Sequence, residues 1–90
     1  MAKANVNPEE LKRFAKELNH FNNDMEMMVS KIRARLSQLQ QSWDDQEQKK
    51  FTAEFDVSMK TLSRFLDLSR EYAPFLMKKA QHIEGYLGKN

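Results

Sequence analysis

The sequence predicts an all-α fold, an antiparallel two-helix hairpin that pairs into a four-helix bundle, and three observations carry that prediction. Gly and Pro occur only twice each in 90 residues, whereas sheets and catalytic loops draw on both for turns and close backbone approach. Apolar residues recur at steps of three and four through two long stretches, which is the mark of a helical stripe. One short interruption, Ser42-Trp43-Asp44-Asp45, separates the two stretches. A chain of this length holds a single domain, residues 1–90, with no room for a second core.

The first helix is expected from Pro8 to Gln41, after a leader of residues 1–6. Asn7 suits the N-cap, Pro8 the first helical position, and Glu10 stands three residues after the cap as in a capping box. From there the apolar stripe reads Leu11, Phe14, Leu18, Phe21, Met25, Met28, Ile32, Leu36, Leu39 and Trp43. Its steps alternate between three and four except for two successive fours around Ile32, which replace a heptad by an eleven-residue repeat. At ~1.5 Å per residue the helix is a rod of about 50 Å. Such a rod needs a partner for its stripe, and the next segment of chain supplies one.

Residues 42–45 form the expected turn, with Asp44 as the cap of the second helix and Glu47 three residues on as its capping-box acid. The second helix is expected over residues 46–87. Its stripe is Phe51, Phe55, Met59, Leu62, Leu66, Ala73, Leu76, Ala80, Ile83 and Leu87, with Ser69 filling the gap. Pro74 lies inside it, where the missing N–H and the ring against the preceding turn predict a kink near residues 70–74. The periodicity continues in register through that point, so a kink is expected and not a break.

A second apolar row runs beside this stripe: Phe65, Leu68, Tyr72 and Phe75, continuing more weakly through Lys79 and His82 to Tyr86. A helix in a two-helix hairpin has only one seam to bury. Leaving four large side chains in water forfeits about 1.5–3 kcal/mol for each one that could be buried, and a contiguous row of this kind marks an interface. Phe65, Leu68, Tyr72 and Phe75 are therefore the expected dimer interface.

Composition narrows the chemistry. The chain has no Cys, which removes disulfides, thiolate catalysis, Cys-based zinc sites and iron–sulfur clusters together. The only glycines are Gly85 and Gly88, so no glycine-rich phosphate loop exists, and the six serines lack a strained Gly-flanked turn. His20 and His82 stand on different helices without a third ligand at helical spacing. Asp44, Asp45 and Glu47 crowd the start of the second helix, where acids ordinarily complement the helix dipole. The expectation is a protein that is not an enzyme, with no cofactor and no metal. Trp43, the lone Trp, is expected to plug the turn end together with Phe51 and Phe55.

Charge is balanced, +2 overall, with seven basic and five acidic residues up to position 43 and eight of each thereafter. Lys12, Arg13, Lys16, Lys31 and Arg35 nevertheless suggest an alternative function, a basic helical module that binds nucleic acid or an anionic surface. Mean hydropathy is −0.81, and no run approaches the roughly 18 apolar residues that span a bilayer. The segment Met1-Ala2-Lys3-Ala4-Asn5 has no apolar core of a cleaved signal peptide. The protein is expected to be cytoplasmic when synthesised and, if secreted, to leave without cleavage.

The segment from Leu39 through Trp43, Asp44 and Asp45 to Phe51 resembles the WXG superfamily, the ESAT-like small helical hairpins of type VII secretion. The resemblance covers nearly the whole chain: its length, its two amphipathic helices, the Trp in the inter-helix turn and the Phe opening the second helix. It implies a secreted factor or the helical partner of a secreted effector, working as a homodimer or as a heterodimer with a related hairpin. Asp45 stands where the family has Gly, so the turn must be made without that flexibility, by an Asp that tolerates turn conformations, with Asp44 or Asp45 acting as the cap. The family's C-terminal export signal is a Tyr followed four residues later by Asp or Glu; here Tyr86 is followed by Asn90.

Overall fold

The computed structural model describes residues 6–87, the side chain of Leu87 excepted. Apart from Val6, the expected leader lies outside the described residues, as does Asn90. The described chain is two antiparallel helices, α1 (Pro8–Leu39) and α2 (Gln46–Leu87), forming a rod of 67 × 25 × 15 Å.

Local chemistry sets the helix starts. Asn7 has extended dihedrals, and its side-chain oxygen accepts from the backbone N–H groups of Glu9 at 2.9 Å and Glu10 at 3.3 Å. Two of the donors that every helix start leaves unpaired are thereby satisfied. At α2 the cap is Asp45, the second of the two expected candidates, and not Asp44: its Oδ1 accepts from the backbone N–H of Gln48 at 2.9 Å, while its carbonyl accepts from that of Lys49. Asp44 is one residue too early to reach the third helical N–H.

The first helix ends two residues before the expected Gln41, and the turn spans residues 40–45 instead of 42–45. Two N–H groups, of Ser42 and Trp43, converge on the carbonyl of Leu39 at 3.0 and 2.9 Å, which tightens the chain out of the α ladder. Among the described residues none has positive φ. The turn therefore never enters the left-handed region that favours Gly, and Asp45 is free to occupy its position and cap α2. The side-chain amides of Gln40 and Gln48 both donate to the hydroxyl of Thr52, at 3.1 and 3.0 Å, tying the end of α1 to the first turns of α2. Further along, α2 runs unbroken through Pro74, which is exposed, so its ring meets solvent and not α1.

Packing revises the expected seam. Apart from Pro8 at its start and Lys12, the buried or half-buried positions of α1 are Leu11, Ala15, Leu18, Asn22, Met25, Val29 and Leu36. Phe14, Phe21, Met28, Ile32 and Leu39, expected in the seam, are exposed. The seam is displaced by one residue toward small side chains. Ala15 at 0%, Ala73 at 1% and Ala80 at 0% exposure are its tightest points; without bulk between them the two backbones come close, and the large rings of α1 stand beside the seam instead of in it. The seam steps regularly by four and three from Leu11 to Val29 and then passes over Ile32, which is exposed, to Leu36. On α2 the stripe from Phe55 to Ile83 lies in the seam as the periodicity predicts, while Phe51 is exposed.

Candidate functional site: an apolar edge

The two long edges of the hairpin have opposite chemistry. In an antiparallel helix pair, the residues flanking the seam on one edge of the first helix meet those flanking it on the same edge of the second. On one edge Lys12 pairs with Glu84 at 2.6 Å, Glu26 with Arg70 at 2.7 Å, and Arg33 with Asp56 at 3.9 Å. All six are partly or well exposed, so each pair contributes no more than about 1 kcal/mol. Their consequence is that this edge is hydrated and charged.

The other edge is apolar. Phe14, Phe21 and Met28 project from α1, and Phe65, Leu68, Tyr72 and Phe75 from α2, the last four all between 46% and 56% exposed. Phe21 and Phe65 meet across the helices edge to face, with ring centroids 6.2 Å apart, and Tyr72 and Phe75 do so along α2 at 5.8 Å. These arrangements match the ring quadrupole and form a raised aromatic ridge toward the open end of the hairpin. Nearer the turn the same edge hollows into a groove of about 580 Å³ lined by Met25, Met28, Val29, Ile32, Met59 and Leu62, with Lys31 and Arg35 at its rim.

Sequence reasoning reached the α2 half of this edge and missed the α1 half. The signal was present: Ala15, Asn22 and Val29 recur every seven residues beside Phe14, Phe21 and Met28. Periodicity alone did not say which of the two rows faces inward.

At the turn end, Trp43, Phe51 and Phe55 form a ladder with centroids 6.4 and 5.9 Å apart. The guanidinium of Arg33 lies 5.8 Å over the Phe55 ring. Trp43 and Phe55 are half-buried and Phe51 exposed, so the expected plug is an open aromatic stack and not a sealed core. Tyr86 is exposed in the last turn of α2.

The basic residues do not gather on one surface. Lys12 is engaged by Glu84, Glu9 stands among Lys12, Arg13 and Lys16, and Lys31 lies about 28 Å along the rod from Lys12. A nucleic-acid footprint would be a continuous basic face. Among the described residues, no three His, Asp or Glu side chains converge as metal ligands, and no helix is long and apolar enough to cross a membrane.

The comparisons agree with this geometry. No curated protein matches the chain in sequence. Among solved structures, the hairpin is similar to a mutant form of the secreted protein EsxB from Bacillus anthracis, with a TM-score of 0.72 at 22% identity over 94% of this chain and 98% of that one. That likeness shows the helical-hairpin fold. The model of the WXG100 family, proteins of 100 residues with WXG, matches residues 3–86, nearly the entire chain. With its Trp in the turn and Asp45 replacing the Gly, this chain belongs to the WXG100 family.

Proposed function

We propose that the protein is a non-enzymatic secretion factor, or the helical partner of a secreted effector, that works by burying its apolar edge against a like hairpin to complete a four-helix bundle. One observation carries this: an edge of aromatic and aliphatic side chains opposite an edge of ion pairs, on a chain too thin to cover both. The chain exposes 7376 Å², against about 5,500 Å² for a compact protein of its mass. The excess exceeds the roughly 800 Å² that each partner contributes to a standard stable interface. Phe65, Leu68, Tyr72 and Phe75, with Phe14, Phe21 and Met28, are the residues that bury it.

Sedimentation equilibrium at micromolar concentration tests the proposal. A mass of two hairpins, alone or with a related hairpin, is expected for the native chain, and a single hairpin for Phe65→Glu. A native monomer that also fails to bind any WXG100 hairpin would sink it. Export is a separate arm: in a host with a type VII system, Tyr86→Ala is expected to abolish appearance of the protein in the medium without altering its mass in solution. Unchanged export would leave no role for that Tyr as a signal.

A further inference from the structure

We infer that the groove near the turn is a binding site for a free single-chain amphiphile with an anionic head, a long-chain carboxylate being the simplest, held by one hairpin alone. Packing opens the site. The buried seam positions Ala15, Asn22, Leu66, Ser69, Ala73 and Ala80 run from mid-hairpin to the open end. Toward the turn the seam is looser, with Val29 and Leu36 of α1 and Phe55, Met59 and Leu62 of α2 all half-buried. Val29, Met59 and Leu62 line both the groove of about 580 Å³ on the apolar edge and a pocket of about 180 Å³ on the charged edge, so the seam is thinnest there. Met is unbranched and adaptable, and Met25, Met28 and Met59 let the wall fit around an inserted chain. From Met25 to Arg35 the groove is about 15 Å long, and its volume falls in the ordinary range of small-molecule sites.

Charge selects the head. Lys31 and Arg35 stand one turn apart on α1 and both border the groove, on one face of the helix. No acid lines the groove, and among the described residues neither cation is ion-paired to a carboxylate. Asp24 shares an adjoining hollow with Lys31 but does not line the groove. The charged edge differs: Arg33 and Arg70 are engaged by Asp56 and Glu26, and the pocket there carries acids and bases together. A purely apolar occupant of the groove would leave its two cations without a counter-charge, and an inorganic anion would leave the cleft wet. An anionic head on an acyl chain satisfies both. The site is complete in one hairpin, and a partner that covered the apolar edge would close it, so amphiphile and partner exclude each other.

Calorimetric titration with dodecanoate, kept below its aggregation concentration, tests the site on the native chain and on Phe65→Glu, which the proposed function makes a single hairpin. Saturable binding is expected for the single hairpin, about tenfold weaker for decanoate, which has two methylenes fewer. Dodecyltrimethylammonium is expected not to bind. Lys31→Glu combined with Arg35→Glu, both at exposed positions, is expected to lower dodecanoate affinity about tenfold. Arg13→Glu combined with Lys16→Glu makes the same charge change about 22 Å or more along the rod from Lys31, beyond the screening length, and is expected to leave affinity within about twofold. In methyl NMR spectra, dodecanoate is expected to shift Met25, Met28 and Met59 and to leave Met77 in place. Equal loss in the two double variants, equal binding of the cationic amphiphile, or movement of Met77 in place of the groove methionines overturns the site. Binding to anionic vesicles without binding of dodecanoate overturns it in favour of a membrane surface. Failure of both hairpin forms to bind overturns the site and leaves pairing, read separately from the sedimentation mass of the native chain, as it stands; a native monomer that binds dodecanoate upholds the site and not the pairing. Circular dichroism unchanged from the native chain shows that each variant is folded.

Discussion

Asp45 does two jobs with one side chain. It completes a turn that contains no positive φ and accepts the hydrogen bond that opens α2. Asp45→Ala is expected to cost about 1 kcal/mol, seen as a drop of several degrees in the thermal midpoint by circular dichroism, whereas Asp44→Ala should stay within 0.5 kcal/mol of native. The comparison discriminates between the two carboxylates that the sequence could not rank. Asn22 poses a different question. It is 1% exposed, and neither its Nδ2 nor its Oδ1 is hydrogen-bonded to another protein group, nor is the buried Ser69 Oγ. A polar residue in a helix seam trades stability for register. Asn22→Ala, which the close seam can accommodate, is expected to raise the urea midpoint by an amount equivalent to about 1 kcal/mol; a lowered midpoint would mean that the amide has a partner in solution.

At the scale of the element, the seam works by smallness. Ala15, Ala73 and Ala80 hold the helices close, and that closeness pushes Phe14, Phe21 and Met28 out along one edge. Ala73→Leu is expected to cost about 1–3 kcal/mol by overpacking, measured by chemical denaturation. The ion pairs of the opposite edge should matter far less: Arg33→Ala, which loses a half-exposed pair at 3.9 Å, is expected within about 0.5 kcal/mol of native, in line with exposed pairs elsewhere. The α2 stripe was legible because its core positions include large residues, Phe55, Met59, Leu62 and Leu66. On α1 Leu11, Leu18, Met25 and Leu36 lie in the seam as expected, but the large Phe14, Phe21 and Met28 sit beside it and outweigh their neighbours Ala15, Asn22 and Val29 in any hydropathy count, so that row of the stripe was one residue out of phase.

For the whole molecule, the decisive quantity is surface. A hairpin only 15 Å thick cannot enclose side chains on every face, and its stability should therefore be tied to association. The thermal midpoint is expected to rise with protein concentration across a hundredfold range, as mass action requires when folding and pairing are coupled. A midpoint independent of concentration, with ellipticity and mass both monomeric, would show that the hairpin stands alone.

Caps, turn residues and the count of Gly and Pro are local, and they determined from the sequence that there are two helices, where they break, and that one carries more apolar surface than a single seam can bury. The absence of Cys and of glycine-rich loops narrowed the chemistry equally early. Which face of α1 turns inward was a tertiary decision. An apolar sector about 100° wide admits neighbouring phases, and only the close approach of a second helix, rewarding Ala and Asn over Phe at the point of contact, selects one. That choice left the aromatic rings of both helices along a single edge, and it exposed Phe14, Phe21 and Met28, which periodicity had assigned to the core.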